Sequence, residues 1–215
     1  MPGKIKAETR YSNFEYNGWF AEPFFEPVKI YGSLGSVYAA LKPLKIETSD
    51  VKYQGGATTP MDSLVIFQMP KNHYALNLSM AGITFKADYV DWSQAPIITS
   101  VIESCTSAIA QSLKTEIVRH QLQIVVQAVP AVSLTELTRR FAPSIDRPAK
   151  DIDFNGFILH TANGSFVLDK SAVNDGGIYI RIMRSFEGKT TMEEMAKKMY
   201  EEENWLADTL GIEIL

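Results

Sequence analysis

One cysteine, Cys105, stands in 215 residues. That excludes an internal disulfide framework and any zinc centre built on thiolates. No apolar run approaches the roughly 18 residues that a membrane-spanning helix needs. A basic excess is also missing: 21 Lys and Arg face 25 Asp and Glu, for a net charge of −4. A general binder of nucleic acid or anionic membrane would carry the opposite balance. Histidine is scarce. His73, His120 and His160 lie too far apart to form a metal-binding or acid/base motif. The chain contains no GxGxxG, Walker A, GxSxG or HExxH pattern. Gly32-Ser33-Leu34-Gly35 lacks the lysine of a phosphate loop. Lys4, Lys6 and Arg10 open the chain, but Tyr, Asn and Glu interrupt any apolar stretch there, so no signal peptide is expected. The reading is a cytoplasmic, soluble protein without a membrane segment.

What is present suits a globular protein. With 46% hydrophobic and 21% charged residues, the chain fits one unit or two small ones. A chain of this size buries about 70% of its unfolded surface. Asn17-Gly18, between Phe14-Glu15-Tyr16 and Trp19-Phe20, predicts a tight hairpin, because both residues tolerate positive φ. Val28–Tyr31 reads as a short strand. Leu34, Val37, Tyr38 and Leu41 recur at helical spacing and stop before Pro43. From Val51 to Tyr89 the texture is β: Ser63–Met69, Tyr74–Leu78 and Ile83–Ala87 read as an antiparallel meander. Asp91 or Ser93 caps a helix running to about Thr115, with Ile98, Val101, Ile102, Cys105 and Ile109 on its apolar stripe.

The later residues repeat this texture. Leu122, Ile124, Val126 and Ala128 alternate as in a strand. Ser133-Leu134-Thr135-Glu136 is a capping box that opens a short helix. Residues 142–151, with Pro143 and Pro148, form a loop. Phe157–His160 and Phe166–Leu168 flank Asn163-Gly164, a second hairpin signal. Asp175-Gly176-Gly177 is a further turn, followed by Ile178, Ile180 and Ile182 at strand spacing. Thr190-Thr191-Met192-Glu193 reads as another capping box. The helix after it carries Met192, Met195, Met199, Leu206 and Leu210 on one face.

The two halves thus list the same elements in the same order: strand, short helix, meander, long helix. Ser63–Ser79 lies on Asn155–Ser171 at an offset of 92 residues, with Ile66 on Ile158 and Leu76 on Leu168. The expected fold is α+β in two similar halves, each an antiparallel meander packed on one face by a long helix. The boundary falls at 118/119, and the halves form one compact unit. Leu64, Ile66, Ile83, Phe85, Ile158, Ile180 and Ile182 are expected in the core.

Candidate chemistry is sparse. His160, near Asp153, is the best-placed histidine, but an ordinary sheet-face histidine explains it better. Asp169, Asn174 and Asp175 do not match an EF-hand register. Cys105, on an apolar stripe, reads as a core thiol. Arg139, Arg140, Arg147, Arg181 and Arg184 could together meet phosphate or nucleic acid, against the overall acidity. The N-terminal aromatics are dense, and Trp19, Phe20, Phe24 and Phe25 are the candidate partner contacts. The favoured reading of the segment is nevertheless that it covers a sheet edge of its own chain.

From Tyr89-Val90-Asp91-Trp92 onward, the chain resembles a sporadically distributed prokaryotic family of uncharacterised proteins of about 250 residues. The matching pieces are Tyr89–Trp92, the Leu122–Val129 strand, Leu168-Asp169-Lys170-Ser171 and the closing helix. Where that family carries an arginine-rich strand, Leu122-Gln123-Ile124-Val125-Val126 stands here. The resemblance implies no reaction, so it brings no catalytic residue, cofactor or metal.

Three functions follow as expectations. The first is a non-catalytic binding or assembly protein with a protein partner or a second copy of itself. The second is a ligand or enzyme cavity between sheet and long helix. The third is a nucleic-acid contact through the arginines.

Overall fold

The computed structural model describes residues 4–54, 59–90, 92–134, 136–137 and 156–214. The chain is α+β and sheet-dominated. It forms two compact units, each gathered from separated stretches: Phe14–Leu122 with Ser185–Ala196, and Met1–Asn13 with Gln123–Arg184 and Lys197–Leu215. Residues 118 and 119 lie inside a single strand, Ile117–Pro130.

The first of these units contains α1 (Pro27–Gly32), α2 (Leu34–Leu41) and α3 (Ala95–Leu113). Its sheet follows the order β2-β3-β4-β5-β1-β6-β9. The meander is β3 (Ser63–Met69), β4 (Tyr74–Ser79) and β5 (Gly82–Asp88), antiparallel as expected. The short β2 (Val51–Tyr53) borders β3. β1 (Ile5–Phe20) runs between β5 and β6 (Ile117–Pro130), and β9 (Ile178–Glu187) follows. Ser12, Phe14, Tyr16, Gly18 and Phe20 are buried in alternation, which covers one face of β1. Val37 and Leu41 of α2, together with Ile98, Val101, Ile102, Cys105 and Ile109 of α3, are buried in the same core.

Asn17-Gly18 does not turn the chain. β1 is continuous through it, and the pair serves a cross-strand purpose. Asn17 Oδ1 accepts from Thr84 Oγ1 at 2.7 Å. Gly18 lies against Gly82 so closely that a β-carbon on Gly82 would collide with the Gly18 carbonyl. Small residues permit that approach, so Asn-Gly here is strand packing and not turn chemistry. The expected strand at Val28–Tyr31 is helix α1 instead. Pro27 stands in its first turn, where a proline has no hydrogen bond to lose.

The other unit has the strand order β10-β1-β6-β9-β8-β7. β7 (Phe157–Thr161), β8 (Gly164–Lys170) and β9 are antiparallel neighbours, and β10 (Ile212–Ile214) runs parallel to the start of β1. The hairpin expected at Asn163-Gly164 forms one residue earlier, closed by Ala162-Asn163, with Thr161 opposite Gly164. Helix α4 (Met192–Leu210) buries Met199, Leu206 and Leu210 here, over Ile124, Val126, Ile180 and Ile182. The void left among these side chains is about 10 Å³, no more than one water.

Two expected core residues face outward. In β3 the register slips between Ser63 and Val65, so Leu64 is an extra residue and Val65, Phe67 and Met69 carry the buried parity. Ile66 is therefore half-buried. Ile158 is 57% exposed because it points off the outermost strand, away from Leu159 and Phe166. The last capping box begins one residue later than expected. Thr191 N–H donates to Glu194 Oε2, and Glu194 N–H donates to Thr191 Oγ1. The Ser133 cap is visible in Glu136 N–H donating to Ser133 Oγ at 3.3 Å. Asp91 and the expected 142–151 loop lie outside the described residues.

Candidate functional site

A wide hollow belongs to the unit holding α3. α3 ends where Lys114 adopts the left-handed conformation, and its N–H returns to the Ala110 and Gln111 carbonyls. The chain turns through Thr115-Glu116 and enters β6. α3 supplies Glu103, Thr106, Ser107 and Ala110 to one wall of a cleft, and β6 supplies Ile117, Val118 and His120. Glu187–Thr191 and the first turn of α4 close the opposite side. The volume is about 790 Å³, open to solvent.

His120 sits in that cleft, 7% exposed. Its Nε2 lies 2.9 Å from the Gly188 carbonyl and its Nδ1 2.9 Å from the Tyr16 hydroxyl. A carbonyl only accepts, so Nε2 carries the proton in the neutral ring. Nδ1 then accepts from Tyr16. Burial holds the His120 pKa below its ordinary 6.5, and burial raises that of Tyr16. Both ring nitrogens are committed, so this imidazole ties β1, β6 and the turn before α4 together. Gly188 completes the tie. Its N–H donates to the Val118 carbonyl at 3.0 Å, and a β-carbon at 188 would collide with the Ile117 carbonyl.

A second hollow of about 590 Å³ adjoins the first. It is lined by residues 21–26, Lys29 and Lys114, and it shares Thr115 and Glu116 with the cleft. The segment 21–26 is pinned by Ala21 N–H to the Glu116 carbonyl at 3.1 Å and Phe24 N–H to the Met80 carbonyl at 2.8 Å. Lys29 pairs with Glu26 at 3.2 Å, and Lys189 pairs with Glu187 at 3.5 Å. Among the described residues, Glu22, Glu103 and Glu116 have no ion-pair partner.

The expected partner contacts separate. Phe20 is 5% exposed and belongs to the core. Trp19 is half-buried, with the Arg119 guanidinium 4.1 Å over its ring. Phe24 is half-buried and meets Phe20 edge-on at 5.6 Å. Phe25 is 73% exposed. It heads a strip the sequence reading missed: Val28 and Tyr31 follow at three-residue intervals along α1, and Tyr31 meets Tyr53 edge-on at 5.8 Å. The i, i+3 spacing after Pro27 was the available signal.

Compared with protein-family models and with curated proteins, the chain matches none.

The remaining candidates disperse. Arg139, Arg140 and Arg147, like Asp153, lie outside the described residues. Arg184 is not free for phosphate: it pairs with Glu202 beneath α4 and donates to Thr161 Oγ1 at 2.9 Å. Arg181 points to the other face of β9, and its Nε is buried without a hydrogen-bond partner among the described residues. His160 is exposed on β7. Asp169 Oδ1 accepts from its neighbour Lys170 N–H. Cys105 is buried, and burial pushes its thiol up to about 12. Among the described residues no group of three His, Cys, Asp or Glu is placed to hold a metal, and no helix is long and apolar enough to cross a membrane.

Proposed function

We propose that this chain is a non-catalytic binding protein acting through protein–protein contacts, with a cytoplasmic setting. The observation that carries the reading is the exposed strip Phe25, Val28, Tyr31 and Tyr53 beside the joined hollows at Thr115-Glu116. Large apolar and aromatic side chains gathered at solvent next to a groove are the usual anchors of a partner. The committed nitrogens of His120 weigh against acid/base use of the cleft. The pairing of Arg184 with Glu202 weighs against the arginine reading. A small ligand is the second reading, favoured by the 790 Å³ volume, which lies in the range such molecules occupy.

The proposal includes two similar halves. β1 precedes the meander β3-β4-β5 and the 19-residue α3, as β6 precedes β7-β8-β9 and the 19-residue α4. Each long strand neighbours the last strand of the meander that follows it in sequence, β5 beside β1 and β9 beside β6. That recurrence supports a duplication. The resemblance to the sporadically distributed prokaryotic family stands as part of the same proposal.

Native mass spectrometry of the protein purified from its own cells tests the binding reading. The expected result is a co-purifying polypeptide or a second copy, lost in a Phe25→Asp/Val28→Asp variant whose circular dichroism is unchanged. A small molecule in place of a polypeptide would favour the second reading. A polypeptide retained by the double variant would overturn the role of the strip.

A further inference from the structure

We infer that the groove running through both hollows receives a basic amphipathic segment of the partner polypeptide. The inference rests on the protein-binding reading and names the chemistry of the occupant. Its floor is apolar where Val118, 48% exposed, faces solvent at the start of β6. At the other end Phe24 and Phe25 flank the second hollow. Between them the charge is one-sided. Lys29 and Lys189 are neutralised by Glu26 and Glu187. That leaves Glu22, Glu103 and Glu116 against Lys114 alone.

A covering partner strips water from these carboxylates, and that cost is recovered only by cations placed to meet them. An acidic or purely apolar partner would leave them buried and unpaired. The three carboxylates come from three places in the chain: the segment after β1, the middle of α3 and the turn into β6. All three are among the residues that line the hollows. Glu116 lies where the two hollows meet. A polypeptide with apolar side chains for Val118 and Phe25, together with Lys or Arg for the carboxylates, matches this lining.

The test uses the full chain and two synthetic peptides of about 12 residues, one alternating Leu with Lys and one alternating Leu with Glu. Binding is read by fluorescence anisotropy at about 50 and 300 mM NaCl, where screening separates charge-driven from apolar contact. The expected result is binding of the Lys peptide only, weakened several-fold at the higher salt. A Glu22→Lys/Glu103→Lys/Glu116→Lys variant should weaken it by at least about tenfold. A control, Asp175→Lys/Glu201→Lys, reverses two exposed charges outside the groove and should change it less than about twofold. Equal loss in both variants would overturn the proposal, because net charge alone would then explain the binding. So would binding of the Glu peptide. If the cellular partner is lost in Phe25→Asp/Val28→Asp but kept in the charge-reversed variant, the basic-segment inference fails and the binding reading stands. If both variants keep it, the partner docks elsewhere, and the role of the strip and the basic-segment inference both fail.

Discussion

The Tyr16 hydroxyl donates to Nδ1 of His120 at 2.9 Å, from a side chain with no exposed surface. The two residues are far apart in sequence and lie on β1 and β6. Their bond means that the floor of the cleft is made by strand pairing and not by a local motif. Replacing Tyr16 with Phe leaves a buried acceptor unsatisfied, so about 1–3 kcal/mol of stability should be lost in urea unfolding.

His120 also makes stability depend on pH. Burial holds its folded pKa below 6.5, while the unfolded chain titrates near that ordinary value. The unfolded state therefore binds the proton first. The His120 contribution is fully present above pH 6.5 and is lost as the pH falls from there through the lower folded value. Urea midpoints across this range should decline for the native protein. The decline should be shallower in His120→Gln.

Two glycines should respond with opposite sign. At Gly188 a methyl group would strike the backbone of Ile117 and Val118. Gly188→Ala should cost about 1–3 kcal/mol, as overpacked sites do. Gly35 lies in α2 with nothing near its missing β-carbon. Gly35→Ala should raise stability by about 0.5–1 kcal/mol through lower backbone entropy in the unfolded chain. The midpoints of both variants in one denaturant series check the pair.

The Arg184–Glu202 pair is largely out of water, with side-chain exposures of 17% and 7%. Arg184→Met leaves the buried Glu202 carboxylate with only the Lys198 ammonium at 3.8 Å and should cost about 3 kcal/mol. The double variant Arg184→Met/Glu202→Leu removes both charges and should recover most of that loss. A double-mutant cycle reads the difference.

Cys105 should resist thiol reagents in the folded protein, since burial pushes its thiol up to about 12 and closes access. Colour development with an aromatic disulfide reagent should appear only at denaturant concentrations that unfold the chain.

Where neighbours in sequence decide conformation, the chain could be read in advance. The stripe Ile98–Ile109 and the methionine-rich face of α4 are governed by side chains three and four residues apart, and both helices form with those faces buried. The alternation of β4, β5 and the start of β9 was legible for the same reason, at period two. Three of the errors fall where strand pairing intervenes. Asn17-Gly18 has the local chemistry of a turn, but pairing with Gly82 and Thr84 keeps it extended. The bulge at Leu64 shifts parity in β3, and nothing in the heptapeptide itself announces it. Ile158 is as apolar as Ile180, yet it ends outside because β7 is the last strand in its sheet order.

By itself, then, the amino-acid order determined the helices α2, α3 and α4, most strands, the second hairpin and the scarcity of reactive groups, because these depend on short-range periodicity and composition. Only the tertiary structure decided that β1 lies between β5 and β6, that His120 is spent on Tyr16 and Gly188, and that Glu116 joins two hollows. Those outcomes depend on hydrogen bonds and packing between residues far apart in the chain. No local pattern specifies which distant partner a strand edge or a buried nitrogen will find.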